Sequence, residues 1–262
     1  MRYDFGSDNT AGMAPSAVDG LVRANEAFAR AYGADEITAR AADAIRARLD
    51  ADAEVRFVFS GTAANAIALS MLAQPFEAVL AHNSAHVCTD ETGAPGFFGH
   101  GVGLIGLPGF SGKIDPLALH AQLDEPEVGH RQPPAALTLT QATEYGAVYT
   151  EEELRHLIEP AKLRGFGVHM DGARLANAAA AGFDLTQIAR LGVDVLVFGG
   201  AKAGGPCAEA IVLFDKSLAR RLDNRLKQAG QTASKARLLS GPLLGLLESG
   251  DWDAGAAHAN LM

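Results

Sequence analysis

Two apolar runs in this chain end in residues that can do chemistry. Val193-Asp194-Val195-Leu196-Val197-Phe198 leads through Gly199-Gly200-Ala201 to Lys202, and Gly165-Phe166-Gly167-Val168-His169-Met170 leads to Asp171-Gly172-Ala173-Arg174. Both runs read as buried strands that end in tight loops, and open α/β sheets bind their ligands beyond the carboxyl ends of strands. There they offer an amine and a carboxylate. A lysine that forms a Schiff base and an aspartate that holds a pyridinium nitrogen are what pyridoxal phosphate requires of a protein. The glycines around Lys202 (Gly199, Gly200, Gly204 and Gly205) permit close approach of a planar ligand. Taken singly, Lys202 also fits a solvated lysine and Asp171 a helix cap.

Other candidates surround this pair. Ser60-Gly61-Thr62 follows a strand-like run and opens an Ala-rich helix, so its backbone N–H groups and hydroxyls suit a phosphate dianion. Alone, the same triplet describes an ordinary Ser/Thr N-cap. It is not a Walker loop, because the Gly-Lys-Ser/Thr ending is absent, and it is not a G-x-G-x-x-G fingerprint. Arg174, three residues beyond Asp171, either reaches a ring oxygen or lies on a helix surface. His82 and His86 stand at i, i+4, but no acidic residue between them and no third ligand completes a zinc set, so no metal is expected. His86 is read as stacking on a ring or moving a proton. His169 shares a strand face with Asp171, and either buttresses it or is a satisfied core histidine.

The elements that must position these residues alternate in type. Periodicity predicts helices over 17–32 and 36–49, then a strand over 55–59 and a helix over 63–72. A short strand over 78–80 leads to the two histidines and to a loop over 89–96 rich in turn formers. Strands follow over 136–140, 167–170, 193–198 and 209–214, with helices over 151–163 and 184–191 between them. A long helical region is predicted over 217–247. This alternation predicts an α/β fold with a mostly parallel sheet between helices.

Composition sets the outer bounds. With 262 residues, 48% of them hydrophobic, the chain can bury the core of one large domain, or of one domain and part of another. A net charge of -9 argues against a nucleic-acid surface. Cys88 and Cys207 form neither a CxxC pair nor a disulfide framework, which fits a reducing cytoplasm. The start, Met1 to Asp8, lacks the apolar core of a signal peptide, and no apolar run is long enough to span a bilayer. A soluble cytoplasmic protein is expected.

Ser7-Asp8-Asn9, Ser60-Gly61-Thr62-Ala63-Ala64-Asn65, His86, His169-Met170-Asp171-Gly172-Ala173-Arg174 and Phe198-Gly199-Gly200-Ala201-Lys202 occur in order and at compatible distances. From about residue 3 to its C-terminus the chain resembles the low-specificity L-threonine aldolases. These are pyridoxal phosphate enzymes with the aspartate-aminotransferase-like fold, fold type I. The resemblance implies a cofactor-binding large domain over 1–247, with an N-terminal arm over about 1–15. Residues 248–262 would begin a linker and small domain. It implies that Lys202 holds the cofactor, Asp171 pairs with the ring nitrogen and Arg174 contacts the ring oxygen. Ser60, Gly61 and Thr62 would bind the phosphate. His86 would stack on the ring near the substrate β-hydroxyl, and Ser7 would help hold the amino acid.

The implied reaction is cleavage of L-threonine, L-allo-threonine and related β-hydroxy-α-amino acids to glycine and an aldehyde. Homodimers or homotetramers with the site at a subunit interface are implied as well. Family members are longer and end in a small domain that supplies an arginine for the substrate carboxylate. Here the chain stops at His258-Ala259-Asn260-Leu261-Met262, which reads as a truncation within the linking segment. Lys235 and Arg237 are the candidates for a second carboxylate contact. Two other outcomes stand beside the aldolase: a truncated cofactor-binding homologue without full activity, and another fold type I amino-acid lyase.

Overall fold

The computed structural model describes residues 6–262; residues 1–5 of the expected N-terminal arm lie outside the described residues. The strands among them are β1 (Glu54–Val58), β2 (Ala78–His82), β3 (Gly103–Leu107), β4 (Gly109–Phe110), β5 (Lys113–Ile114), β6 (Pro134–Thr140), β7 (Gly167–Gly172), β8 (Val195–Gly199) and β9 (Glu209–Leu213). Seven form one sheet in the order β1-β9-β8-β7-β6-β2-β3, and β4 pairs with β5 as a separate hairpin. From β3 through β8 all neighbours are parallel, while β9 runs antiparallel to both β8 and β1. All residues of β8 and β9 are buried, as strands covered on both faces must be.

Register aligns the ends that matter. Thr140 of β6 lies opposite Asp171 of β7, Asp171 opposite Val197, and Gly199 opposite Glu209. One face of the sheet carries Val58, Val195, Val197, Ile211 and Leu213 against the Gly61–Leu72 helix. The other face builds the larger core with Leu137, Met170, Leu196 and Phe198, covered by residues of the Glu36–Leu49, Glu151–Leu163 and Arg237–Ser249 helices. Local chemistry starts these helices. Asp35 accepts the Thr38 N–H at 2.8 Å to cap Glu36–Leu49, and Thr150 with Glu153 forms a capping box before Glu151–Leu163.

Small residues let the Pro15–Ala24 and Arg237–Ser249 helices meet backbone to backbone. A Cβ built on Gly20 would stand 2.3 Å from the Gly241 carbonyl oxygen, and one on Gly245 only 2.2 Å from that of Ser16. After Gly250 the Asp251–Leu261 helix packs on the Leu175–Ala180 helix. It is tied to the main core through Trp252, which is fully buried. The indole stacks on Phe198 with ring centroids 5.0 Å apart, and the Arg48 guanidinium sits 4.6 Å from its centre.

Several elements differ from the sequence reading: the helix expected over 184–191 is the single turn Gln187–Arg190, and the helices Pro116–Leu123, Leu175–Ala180 and Asp251–Leu261 had no sequence expectation. The first helix ends at Ala24 rather than at 32, because Ala27 and Tyr32 take left-handed backbone with φ of 50° and 58°. The long helical region is broken into a 3-10 turn Lys216–Ala219, a helix Leu222–Gln228 and the helix from Arg237. Gly230, at φ of 70°, stops the middle piece. The strand Gly103–Leu107 went unread, since its two glycines dilute the β pattern. No helix of the described residues is long and apolar enough to cross a membrane.

Candidate active site

Asp171 is the next-to-last residue of β7 and is only 3% exposed. Its Oδ1 accepts the Ala173 N–H at 2.9 Å, and its Oδ2 accepts the Asn65 side-chain amide at 2.8 Å. Asn65 lies on the second turn of the Gly61–Leu72 helix, and donates again from the same nitrogen to Glu91 Oε1 at 2.9 Å. That Glu91 oxygen also stands 3.0 Å from His86 Nδ1. His86, Glu91, Asn65 and Asp171 therefore form one hydrogen-bonded chain. The His86 backbone N–H is fixed in turn by Glu144 Oε1 at 2.8 Å.

Burial and charge set the protonation along this chain. Burial pushes the Glu91 carboxyl above its ordinary range. The hydrogen bond to Glu91 raises His86; Asp171 adds to that shift, while burial and Lys202 oppose it. His169 lies on the same face, with Nδ1 at 2.7 Å from the Thr138 hydroxyl. Burial brings it down to about 4, so it stands beside Asp171 as a neutral imidazole.

At the start of the helix that carries Asn65, Ser60 is the cap, its Oγ accepting the Ala63 N–H at 3.3 Å. A Cβ added to Gly61 would meet nothing within 4 Å, so this helix start faces open space. The first N–H groups of a helix have no intrahelical partner and favour an anion in such a space.

Lys202 is half-buried in a tight turn closed by Gly204 N–H to Ala201 O and Gly205 N–H to Gly200 O. It lines a cleft of about 450 Å³ with Asp8, Arg174, Asn177 and Asp251. Arg174 donates from Nε to Asp8 Oδ2 at 2.8 Å across that cleft. Lys202 and Arg174 thus come together in the cleft, and His86 and Asp171 come together through Glu91 and Asn65.

The remaining candidates lie apart. Ser7 is exposed in a turn where its Oγ accepts the Asn9 N–H. Lys235 is exposed, and Arg237 donates to the Ala27 carbonyl at 3.2 Å; neither lines the Lys202 cleft. His82 is engaged locally by Ser84, with Nδ1 at 2.7 Å from its hydroxyl. Glu91 and Glu209 were missed by sequence reasoning. Two signals were readable: Glu91 lies in the turn-rich loop over 89–96 just after His86, and Glu209 is a lone charge opening the apolar run Ala210-Ile211-Val212-Leu213.

Comparison with known proteins extends this picture. Residues 4–261 match the family model described as Beta-eliminating lyase. Over 258 residues the chain is 46% identical to a low-specificity L-threonine aldolase of a Pseudomonas species, covering 98% of this chain and 75% of that protein. A solved threonine aldolase of Leishmania major superposes with a TM-score of 0.93 at 32% identity, over 99% of this chain and 76% of that one. Aspartate aminotransferase of Thermus thermophilus shares the fold, with a TM-score of 0.73 at 16% identity over 96% of this chain and 66% of that one.

Proposed function

The chain belongs to the beta-eliminating lyase family, and from that premise we propose a pyridoxal phosphate-dependent, low-specificity L-threonine aldolase of fold type I. Its reaction is cleavage of L-threonine, L-allo-threonine and related β-hydroxy-α-amino acids to glycine and an aldehyde. The observation that carries this reading is the hydrogen-bonded chain from His86 to Asp171, beside the turn that holds Lys202.

The residues present fit the cofactor. A buried carboxylate with both oxygens held suits a ring nitrogen, and a helix start facing open space suits a phosphate. Asn65 Oδ1, Glu91 Oε2 and His169 Nε2 are buried without hydrogen-bond partners, which marks a polar site rather than a packed core. Lys202 would hold the cofactor by its amine, and Asp171 would hold the ring nitrogen. Ser60, Gly61 and Thr62 would take the phosphate and Arg174 the ring oxygen. When bound, pyridoxal phosphate supplies an electron sink for the Cα–Cβ bond.

The protein's own part is proton handling and orientation. With Nδ1 engaged by Glu91, Nε2 of His86 is the atom left to take the β-hydroxyl proton. Glu91 also fixes the plane of that imidazole, and the Asn65 amide ties Glu91 to Asp171. Ser7, Lys235 and Arg237 are proposed to hold the amino acid, the last two within a homodimer or homotetramer that assembles the site between subunits. Residues 1–247 would act as the cofactor-binding domain, with the helix of 248–262 packed onto it through Trp252, in a cytoplasmic enzyme.

The test is direct. Protein supplied with pyridoxal phosphate should release acetaldehyde and glycine from L-threonine, and Lys202→Ala should reduce that rate by roughly a thousandfold or more. Pyruvate from L-serine, with no acetaldehyde from threonine, would move the assignment to β-elimination. Cofactor binding without any turnover would sink the enzyme reading.

A further inference from the structure

The peptide that joins Gly199 to Gly200 is gripped at both ends. Its carbonyl oxygen accepts the indole N–H of Trp252 at 3.0 Å, and its N–H donates to Glu209 Oε2 at 2.8 Å. Both gripping side chains are buried, Trp252 completely and Glu209 to 4% exposure. Lys202 follows two residues after this peptide.

The Glu209 contact is not a by-product of packing. Glu209 opens a strand whose other four residues are apolar and buried, where its ladder neighbours are Val58 and Gly199. A carboxyl at such a place costs free energy that an apolar side chain would not. Burial pushes it up to about 7, with Asp171 adding to the rise and the Gly200 N–H, Lys202 and the Ala201 N–H opposing it. Asp171 and Lys202 are thus the charged groups that act on it.

The glycines explain why a grip is needed. A Cβ on Gly199 would stand 2.6 Å from the Gly172 and Ala173 carbonyl oxygens, and one on Gly200 2.5 Å from that of Ala208. Close packing therefore demands glycine at both positions. A peptide between two glycines meets the least steric resistance to flipping, so its orientation has to come from hydrogen bonds.

We propose that Glu209 and Trp252 form a clamp that fixes the plane of the Gly199–Gly200 peptide and so aims Lys202. Both are positioning residues, acting through the backbone rather than on substrate. The proposal rests on the reading of Lys202 as the residue that holds the cofactor.

The experiment measures hydrogen exchange of the Gly200 amide in the full chain, with and without pyridoxal phosphate. It also follows the rate at which added pyridoxal phosphate attaches to Lys202, by the visible absorbance that attachment produces. Glu209→Ala and Trp252→Phe should each speed Gly200 exchange about tenfold and slow attachment by a similar factor. Glu209→Gln keeps an oxygen acceptor, and should return both to within about threefold of the native values.

If Glu209→Ala and Trp252→Phe lower only Tm, while Gly200 stays protected and Lys202 reacts at the native rate, the clamp is wrong. Should Glu209→Ala not fold, Trp252→Phe decides by the same two readouts. A native protein that takes up cofactor but cleaves no threonine would overturn the aldolase and leave the clamp standing. Failure of the native chain to attach the cofactor would overturn the role of Lys202, and with it the purpose of the clamp.

Discussion

Two donors converge on one oxygen, Glu91 Oε1: the Asn65 amide at 2.9 Å and His86 Nδ1 at 3.0 Å. A buried carboxylate held in this way raises the imidazole, so the protonated form of His86 is favoured in the folded protein. The sign for stability follows from that direction. The His86 shift contributes its full stabilisation below the ordinary histidine value of 6.5 for as long as Glu91 stays ionised, and that contribution is lost as pH climbs through the raised folded value. For catalysis the sign is reversed, because only neutral His86 can accept a proton. Cleavage should therefore rise with pH through the raised value, and Glu91→Gln should move that limb of the kcat/KM profile to lower pH. An unmoved limb would mean that another group sets it.

Between elements, the Pro15–Ala24 and Arg237–Ser249 helices cross at close range. Gly245→Ala would put a methyl group 2.2 Å from the Ser16 carbonyl oxygen, and neither helix backbone can yield cheaply. A loss of about 1–3 kcal/mol is expected, read as a lower Tm with the same cofactor absorbance. An unchanged Tm would show that the two helices slide apart freely. The elements that build the sheet edge were legible in sequence because their signals are local. Apolar runs end in glycine at Asp171-Gly172 and Gly199-Gly200, and the helix Glu36–Leu49 has its cap and its period in one stretch. The role of Glu91 was not legible, because it ties the preceding turn at His86 to Asn65, on a helix that begins thirty residues earlier. The same holds for the clamp on Gly199–Gly200, which joins residues 199, 209 and 252. The long C-terminal helix was over-read, since an Ala- and Leu-rich pattern hides the break that Gly230 imposes.

On the scale of the whole molecule, one chain gathers Lys202, Arg174 and Asp8 in a cleft but leaves Lys235 and Arg237 away from it. In the proposed assembly a second copy would complete substrate binding. Light scattering should return two or four times the mass of one chain, and a monomer that cleaves threonine at full rate would refute the shared site. The burial of Trp252 has a spectroscopic consequence. It is the sole tryptophan of the chain, stacked on Phe198 and bonded to the backbone that leads to Lys202. Its emission is therefore an intrinsic optical gauge of that loop, with no label to add. A pyridoxal chromophore held by Lys202 would absorb that emission by energy transfer, so titration with the cofactor should quench the indole. Lys202→Ala should leave the fluorescence bright at cofactor levels that quench the native protein.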